Sequence, residues 1–192
     1  MCGRFALGVE LSGQVRDQLG VPFEAAQSDD IRPTQTVACL ASDGERLYQL
    51  NTHWGIKPAW AKRLIINAQA GTVASKKTFA RAFAERRCLV PCSGWYEWRD
   101  EGGAHKQKYY FTHSSGEPLY MAGIWFPAVE EESSPALVTL TTQPTTLCAQ
   151  YHNRMPQLIW LGEVTFWFGS SLGLPECLHS DVDSDLAVGK AP

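Results

Sequence analysis

From residue 36 to residue 142 the sequence breaks into short runs of apolar or alternating residues, each closed by turn-forming residues. Thr36–Ala41, Arg46–Thr52, Cys88–Pro91, Gly94–Arg99, Lys106–His113, Leu119–Phe126 and Ala136–Thr142 all read as strands. Ser42-Asp43-Gly44 and Asp100-Glu101-Gly102-Gly103 supply hairpin turns between them. Helical spacing is scarcer. Residues 8–19 place Val9, Leu11, Val15 and Leu19 on one stripe, Lys77–Arg87 places Phe79, Ala82 and Phe83 on another, and Thr145–Tyr151 fits a short helix. Many short strands without βαβ alternation predict an α+β fold. The expected core is a mainly antiparallel, barrel-like sheet with a few short helices.

The remaining stretches fit around that sheet. Residues 2–6 look like the start of a buried strand, Ser28 to Pro33 like a polar loop, and Gln157–Leu161 like a last extended segment. The chain predicts one domain over residues 2–170. An acidic, Gly/Ser/Asp-rich tail over 171–192 is expected to be largely irregular, with little structure past Asp183. No apolar signal run and no 18-residue apolar span occurs, which points to a cytoplasmic protein without membrane association. Six cysteines in that compartment are expected to be thiols. Cys88 and Cys92 lack a second Cys/His pair at zinc-site spacing, so neither a metal nor a cofactor is implied.

The formal net charge is −3, but it is unevenly distributed. Residues 57–108 carry eleven Lys/Arg against four Asp/Glu, a net +7, between a −3 segment before and a −7 segment after. A positive face for a polyanion is one reading, and charges scattered over a solvated surface is the other.

Four residues carry candidate chemistry. Cys2 follows Met1 directly, and loss of Met1 would leave an α-amine and a thiol on neighbouring carbons. Such a pair condenses with an aldehyde to an imine and closes as a thiazolidine. An α-amine of pKa ~7.7–8.0 and a thiol of ~8.5 are both partly reactive near neutral pH. Alternatively residue 2 is a plain terminus. Glu97 lies in Gly94-Trp95-Tyr96-Glu97-Trp98, where period two sets it on the face of Trp95. Apolar company raises a carboxyl pKa and suits acid–base work; an exposed Glu on a polar strand face is the alternative. His152, in His152-Asn153-Arg154-Met155-Pro156, is either a proton carrier or a structural histidine. Asn67, ending Ile65-Ile66, is either a polar site residue or a turn residue.

Met1-Cys2-Gly3-Arg4-Phe5, Arg32-Pro33-Thr34-Gln35, Trp54-Gly55 with Pro58-Ala59-Trp60, Asn67-Ala68, Arg87-Cys88-Leu89-Val90-Pro91 with Gly94-Trp95-Tyr96-Glu97-Trp98, Ala122-Gly123-Ile124-Trp125, and His152-Asn153-Arg154-Met155-Pro156 follow in order. Together they resemble the SOS-response-associated peptidase (SRAP) family of abasic-site-processing proteins, over roughly residues 2–165. The resemblance implies removal of Met1, binding of single-stranded DNA by a monomer that associates with the nucleoid when acting on DNA, and capture of an abasic-site aldehyde as a thiazolidine crosslink. By position it implies Cys2 as nucleophile, Glu97 as the acid–base group, and His152 as a proton carrier in reversal or strand-cleaving β-elimination. It implies that Asn67 orients the amine or the sugar, that Arg4 and Arg154 hold flanking phosphates, and that Trp54 stacks on a base.

The sequence departs from that pattern at three places. Gln69-Ala70-Gly71 stands where the family commonly has Arg-x-Glu, so one charge-assisted bond of about 1.5–3 kcal/mol to phosphate is expected to be lost. Lys57 stands where an aliphatic residue is usual and is expected to restore the charge. Asp30-Ile31-Arg32 stands where an Asn is frequent. Two other readings remain: a non-catalytic single-strand-binding module, and a thiol peptidase using Cys2 with His152.

Overall fold

The computed structural model describes residues 3–128, 133–169 and 182–192. The chain opens with β1 (Phe5–Leu7), α1 (Leu11–Leu19), β2 (Ser28–Ile31), β3 (Thr36–Ser42) and β4 (Leu47–Trp54). Then come β5 (Asn67–Gln69), α2 (Ala70–Val73), α3 (Ala80–Glu85), β6 (Arg87–Cys92), β7 (Gly94–Arg99) and β8 (Gln107–His113). It ends with β9 (Leu119–Phe126), β10 (Ala136–Thr142), α4 (Thr146–Ala149), β11 (Met155–Pro156), α5 (Val164–Gly169) and β12 (Leu186–Lys190).

Two sheets form. One is antiparallel in the order β12-β8-β7-β1-β2. The other runs β11-β10-β4-β3-β6-β9, and β9 pairs again with β10. That second contact bends the sheet into a barrel-like ring, as the strand pattern predicts. Strand β10 is its junction: β4 and then β5 run parallel along one edge, β9 and then β11 antiparallel along the other. Alternation explains the packing. Trp95 and Phe111, paired across β7 and β8, stack with ring centroids 4.8 Å apart, and Phe5 of β1 meets Trp54 of β4 at 5.1 Å. All four are fully buried or nearly so. The Phe5–Trp54 contact therefore joins the two sheets. Gly94 permits the close β7–β8 approach, because a Cβ there would lie 2.3 Å from the Phe111 carbonyl oxygen.

Several sequence expectations are corrected. Residues 28–31 are a strand, not a loop: pairing with β1 outweighs the poor strand propensity of Asp29 and Asp30. Helix α1 begins at Leu11, leaving Val9 exposed. Helix α3 is shorter than 77–87, and Arg87 starts β6 instead. Arg87 is buried, donating from Nε to the Phe83 carbonyl and from Nη1 to the Trp167 carbonyl, both at 2.8 Å, so it faces the core and no polyanion. The C-terminal end is not irregular: Leu186–Lys190 completes a five-pair ladder on β8. The part of the expected tail over 171–181 lies outside the described residues. Among the described residues no helix is long and apolar enough to cross a membrane.

Candidate active site around Glu97

Glu97 is the chemical anomaly of the fold. It is only 3% exposed, on the face of β7 that also buries Trp95. Burial pushes its carboxyl from the ordinary range up to about 7. It is thus half protonated near neutral pH, able both to give and to take a proton. Of the two sequence readings of Glu97, the polar-face one is overturned.

Strand pairing brings the N-terminal segment to this carboxylate. The β1–β7 register pairs Phe5 with Trp95 and Ala6 with Gly94, and the Tyr96 N–H donates to the Arg4 carbonyl at 2.9 Å. Continued by two residues from Phe5, that register sets Gly3 opposite Glu97. Cys2 itself lies outside the described residues.

The His152 segment arrives from the other side. The Tyr151 ring packs edge-on against Tyr109 at 4.6 Å and Phe111 at 5.1 Å, and Tyr109 is the cross-strand partner of Glu97. Burial pushes the neighbouring Cys148 thiol up to about 11, and the charges of Asp183 and Glu97 add to that rise. His152 is half-buried, and burial lowers its pKa, favouring the neutral ring. Its Nδ1 accepts the Arg154 N–H at 3.0 Å, with the Arg154 carbonyl 3.1 Å away. The Nε2 atom is then the one with a proton to exchange.

Asn67 and Arg154 are held by one strand. On β10, Thr139 and Thr141 are both 2% exposed and share a face. Thr139 Oγ1 donates to Asn67 Oδ1, and Arg154 Nη2 donates to the Thr141 carbonyl and, at 3.2 Å, to Thr141 Oγ1. Asn67, Arg154 and, through Arg154, His152 are therefore registered by a single polar row. Gln69 is exposed and, two residues along β5, points the way Asn67 does.

Two phosphate-site expectations change. Arg4 Nη1 binds both oxygens of Asp30, at 2.8 and 2.9 Å, and its guanidinium lies 5.6 Å from the Trp98 ring centre. It is engaged by a carboxylate of its own chain. Trp54 is fully buried, with Nε1 donating to the Ile66 carbonyl at 3.1 Å and its ring on Phe5. No face of it is open to a base, so its job is to hold β5, and hence Asn67, beside β1.

Trp60 is the most exposed tryptophan among the described residues, at 67%, and the sequence reading named it in a motif without making it a DNA contact. It sits in a loop closed by reciprocal Ile56–Ile65 main-chain hydrogen bonds of 2.9 Å. Gly55 makes the turn into that loop at φ 116°, and a Cβ there would meet Leu64 at 2.7 Å. Lys57, Lys62 and Arg63 are exposed on the same loop. The available signal was a tryptophan among cations in a Pro-containing stretch that no regular element buries.

The sequence matches the profile of the family described as "SOS response associated peptidase (SRAP)" over residues 1–183. It is 27% identical to the abasic site processing protein YoqW of Bacillus subtilis, covering 94% of this chain and 85% of that one. It is also 27% identical to the abasic site processing protein YedK of Escherichia coli, covering 83% and 75%. Among solved structures, a Bordetella bronchiseptica protein superposes with a TM-score of 0.77 at 20% identity over 100% of both chains. A Bacteroides thetaiotaomicron protein gives 0.77 at 19% identity, covering 100% of this chain and 92% of its own.

Proposed function

The chain belongs to the SOS response associated peptidase family, and from that membership we propose that it processes abasic sites in single-stranded DNA by covalent capture on Cys2. The observation that carries this reading is a carboxyl of pKa about 7, buried in β7 where the N-terminal strand pairs. Chain connectivity alone keeps residue 2 within one Cα step, about 3.8 Å, of Gly3.

The chemistry follows from those positions. Hydrolysis of the Met1–Cys2 bond frees the α-amine. The amine attacks C1′ of the ring-opened sugar and gives a carbinolamine. Protonated Glu97 donates to the departing hydroxyl, which leaves as water, and the imine forms. The thiol then adds across the C=N bond, its proton passing to the nitrogen, and the thiazolidine closes. A carboxyl at about 7 is suited to both halves, since one proton must be delivered and then recovered. His152, neutral and held by the Arg154 main chain, is the second proton carrier, serving ring opening and reversal. Asn67, fixed by Thr139, orients the sugar or the amine. Trp60 supplies the base-stacking surface in place of Trp54, and Lys57, Lys62, Arg63 and Arg154 hold phosphates. Gln69 contributes at most a neutral hydrogen bond there.

The test is intact-mass analysis after mixing with an abasic oligonucleotide. The expected product is protein lacking Met1 plus oligonucleotide minus one water. Cys2→Ala should give none. Glu97→Gln should form it at least tenfold more slowly at pH 7, in line with the ordinary worth of general acid–base catalysis. Crosslinking by Cys2→Ala as fast as by the wild type would falsify the assignment.

A further inference from the structure

We propose that Asp30 is a built-in competitor for DNA phosphate: it occupies Arg4 and Arg32, which together form a two-arginine phosphodiester site at the entrance to the Glu97 strand. The inference deepens the functional reading above, on which its DNA ligand rests.

The argument starts from register. β1 and β2 pair antiparallel with Phe5 opposite Ile31, which sets Arg4 opposite Arg32. Two cations facing each other across a ladder repel. The fold resolves this with one carboxylate. Asp30, two residues before Arg32 and on its face, takes Arg4 Nη1 at 2.8 and 2.9 Å, and Arg32 Nε at 2.8 Å and Nη2 at 2.5 Å. Burial opposes ionisation, but the hydrogen bonds from Arg32 and Arg4 hold the carboxyl below its ordinary range, so it is charged at neutral pH. One carboxylate between two guanidiniums leaves a net positive charge, with the Nε/Nη2 fork of Arg32 and the Nη1 of Arg4 already turned to one position.

The site is open to a ligand. The side chains of Arg4, Asp30 and Arg32 are 31%, 29% and 58% exposed. It is also tied to the functional strands. The Tyr96 hydroxyl donates to the Asp29 carbonyl at 2.9 Å, and Arg4 lies over Trp98, so both neighbours of Glu97 in the chain touch this corner. The turn after Arg32 is fastened to β4: the Thr34 N–H donates to the Trp54 carbonyl at 2.9 Å, and the Arg32 N–H donates to Gln35 Oε1 at 2.6 Å. Arg32 is therefore presented by a fixed segment. A strand arriving here must exchange Asp30 for phosphate at each arginine, which lowers affinity and blunts salt dependence.

The experiment is fluorescence anisotropy of full-length wild type, Asp30→Asn and Asp30→Asn/Arg32→Gln with an undamaged single strand, between 50 and 200 mM NaCl. An undamaged strand has no aldehyde, so the readout is independent of capture on Cys2. Asp30→Asn should bind about tenfold more tightly at 50 mM salt. Its log K against log[salt] slope should steepen by about 0.7 per freed phosphate contact, up to about 1.4. Arg32→Gln in that background should remove at least half of the added slope. Unchanged affinity and slope in Asp30→Asn overturn the proposal, because the arginines then do not meet DNA. Weaker binding overturns it too, since Asp30 would then be holding the arginines in place for DNA. A gain that survives Arg32→Gln in full excludes the two-arginine site. Asp30→Ala, which cannot hydrogen-bond either arginine, must move affinity the same way as Asp30→Asn. Thermal melts by circular dichroism confirm that each variant is folded.

Discussion

At the scale of single residues, Glu97 sets function against stability. A carboxyl whose folded pKa is about 7, against an ordinary 4.5, is held protonated more tightly by the folded chain than by the unfolded one. Between those values the folded state binds more protons, so stability falls as pH rises. The full contribution is present below about 4.5 and is lost as pH passes through about 7. A shift of that size corresponds to about 3 kcal/mol, as an upper estimate. Glu97→Gln should therefore match the wild type in urea midpoint at pH 4, exceed it increasingly from pH 5 to pH 7, and keep a constant lead above about pH 8. The same substitution slows capture. Parallel midpoints across that range would mean that the buried carboxyl ionises at no cost, and the acid–base role would lose its physical basis.

At the scale of elements, the 56–65 loop and strand β4 divide the two tryptophans that the sequence could not tell apart. Trp60→Ala should weaken binding of undamaged single strands by about ten- to a hundredfold, the usual worth of one stacked base, and leave the melting temperature nearly unchanged. Trp54→Ala should instead cost about 3–5 kcal/mol of stability, because it empties the contact between Phe5 and β5. The pair of measurements, anisotropy and thermal melting, assigns each residue by which readout moves. Strands β7, β9 and β10 were legible in the sequence to the residue, since each alternates or runs apolar between turn signals. The raised pKa of Glu97 was legible for the same reason: period two alone set it beside Trp95. What was not legible depended on partners far along the chain. Residues 28–31 become a strand only because β1 lies beside them, Arg87 is buried only because α5 covers it, and Trp54 is closed off only because Phe5 and Ile66 meet it. Hydrophobic patterning carries no information on which of two nearby tryptophans a distant strand will cover.

At the scale of the whole molecule, charge and chain end act together. The basic middle segment does not make a uniform positive face. Arg81 and Arg86 pair with Glu85, Arg99 pairs with Glu101, and Arg87 is in the core. Lys57, Lys62 and Arg63 make no ion pair among the described residues and add positive potential to the loop bearing Trp60, while Lys76, Lys77 and Lys106 are likewise exposed and in no ion pair among the described residues. The C-terminal strand contributes differently. β12 covers the outer edge of β8 through five residue pairs, buries Leu186, and brings Lys190 to within 3.3 Å of Glu101. The family profile ends at residue 183, before β12 begins. Removing residues 186–192 uncovers the Tyr109–His113 edge and loses the burial of Leu186, worth about 2–3 kcal/mol. The melting temperature should fall by about 5–10 °C, and size-exclusion chromatography should show association through the bare edge. Capture of an abasic strand at 20 °C should persist. Arg99 remains clamped between the Tyr109 and Tyr151 rings, 4.7 and 4.6 Å from their centres, and still pairs with Glu101. The ring stack that sets His152 beside β7 and β8 therefore does not depend on Lys190. Loss of capture in a truncated protein that is still folded and monomeric would show that β12 belongs to the site and not merely to the edge it seals.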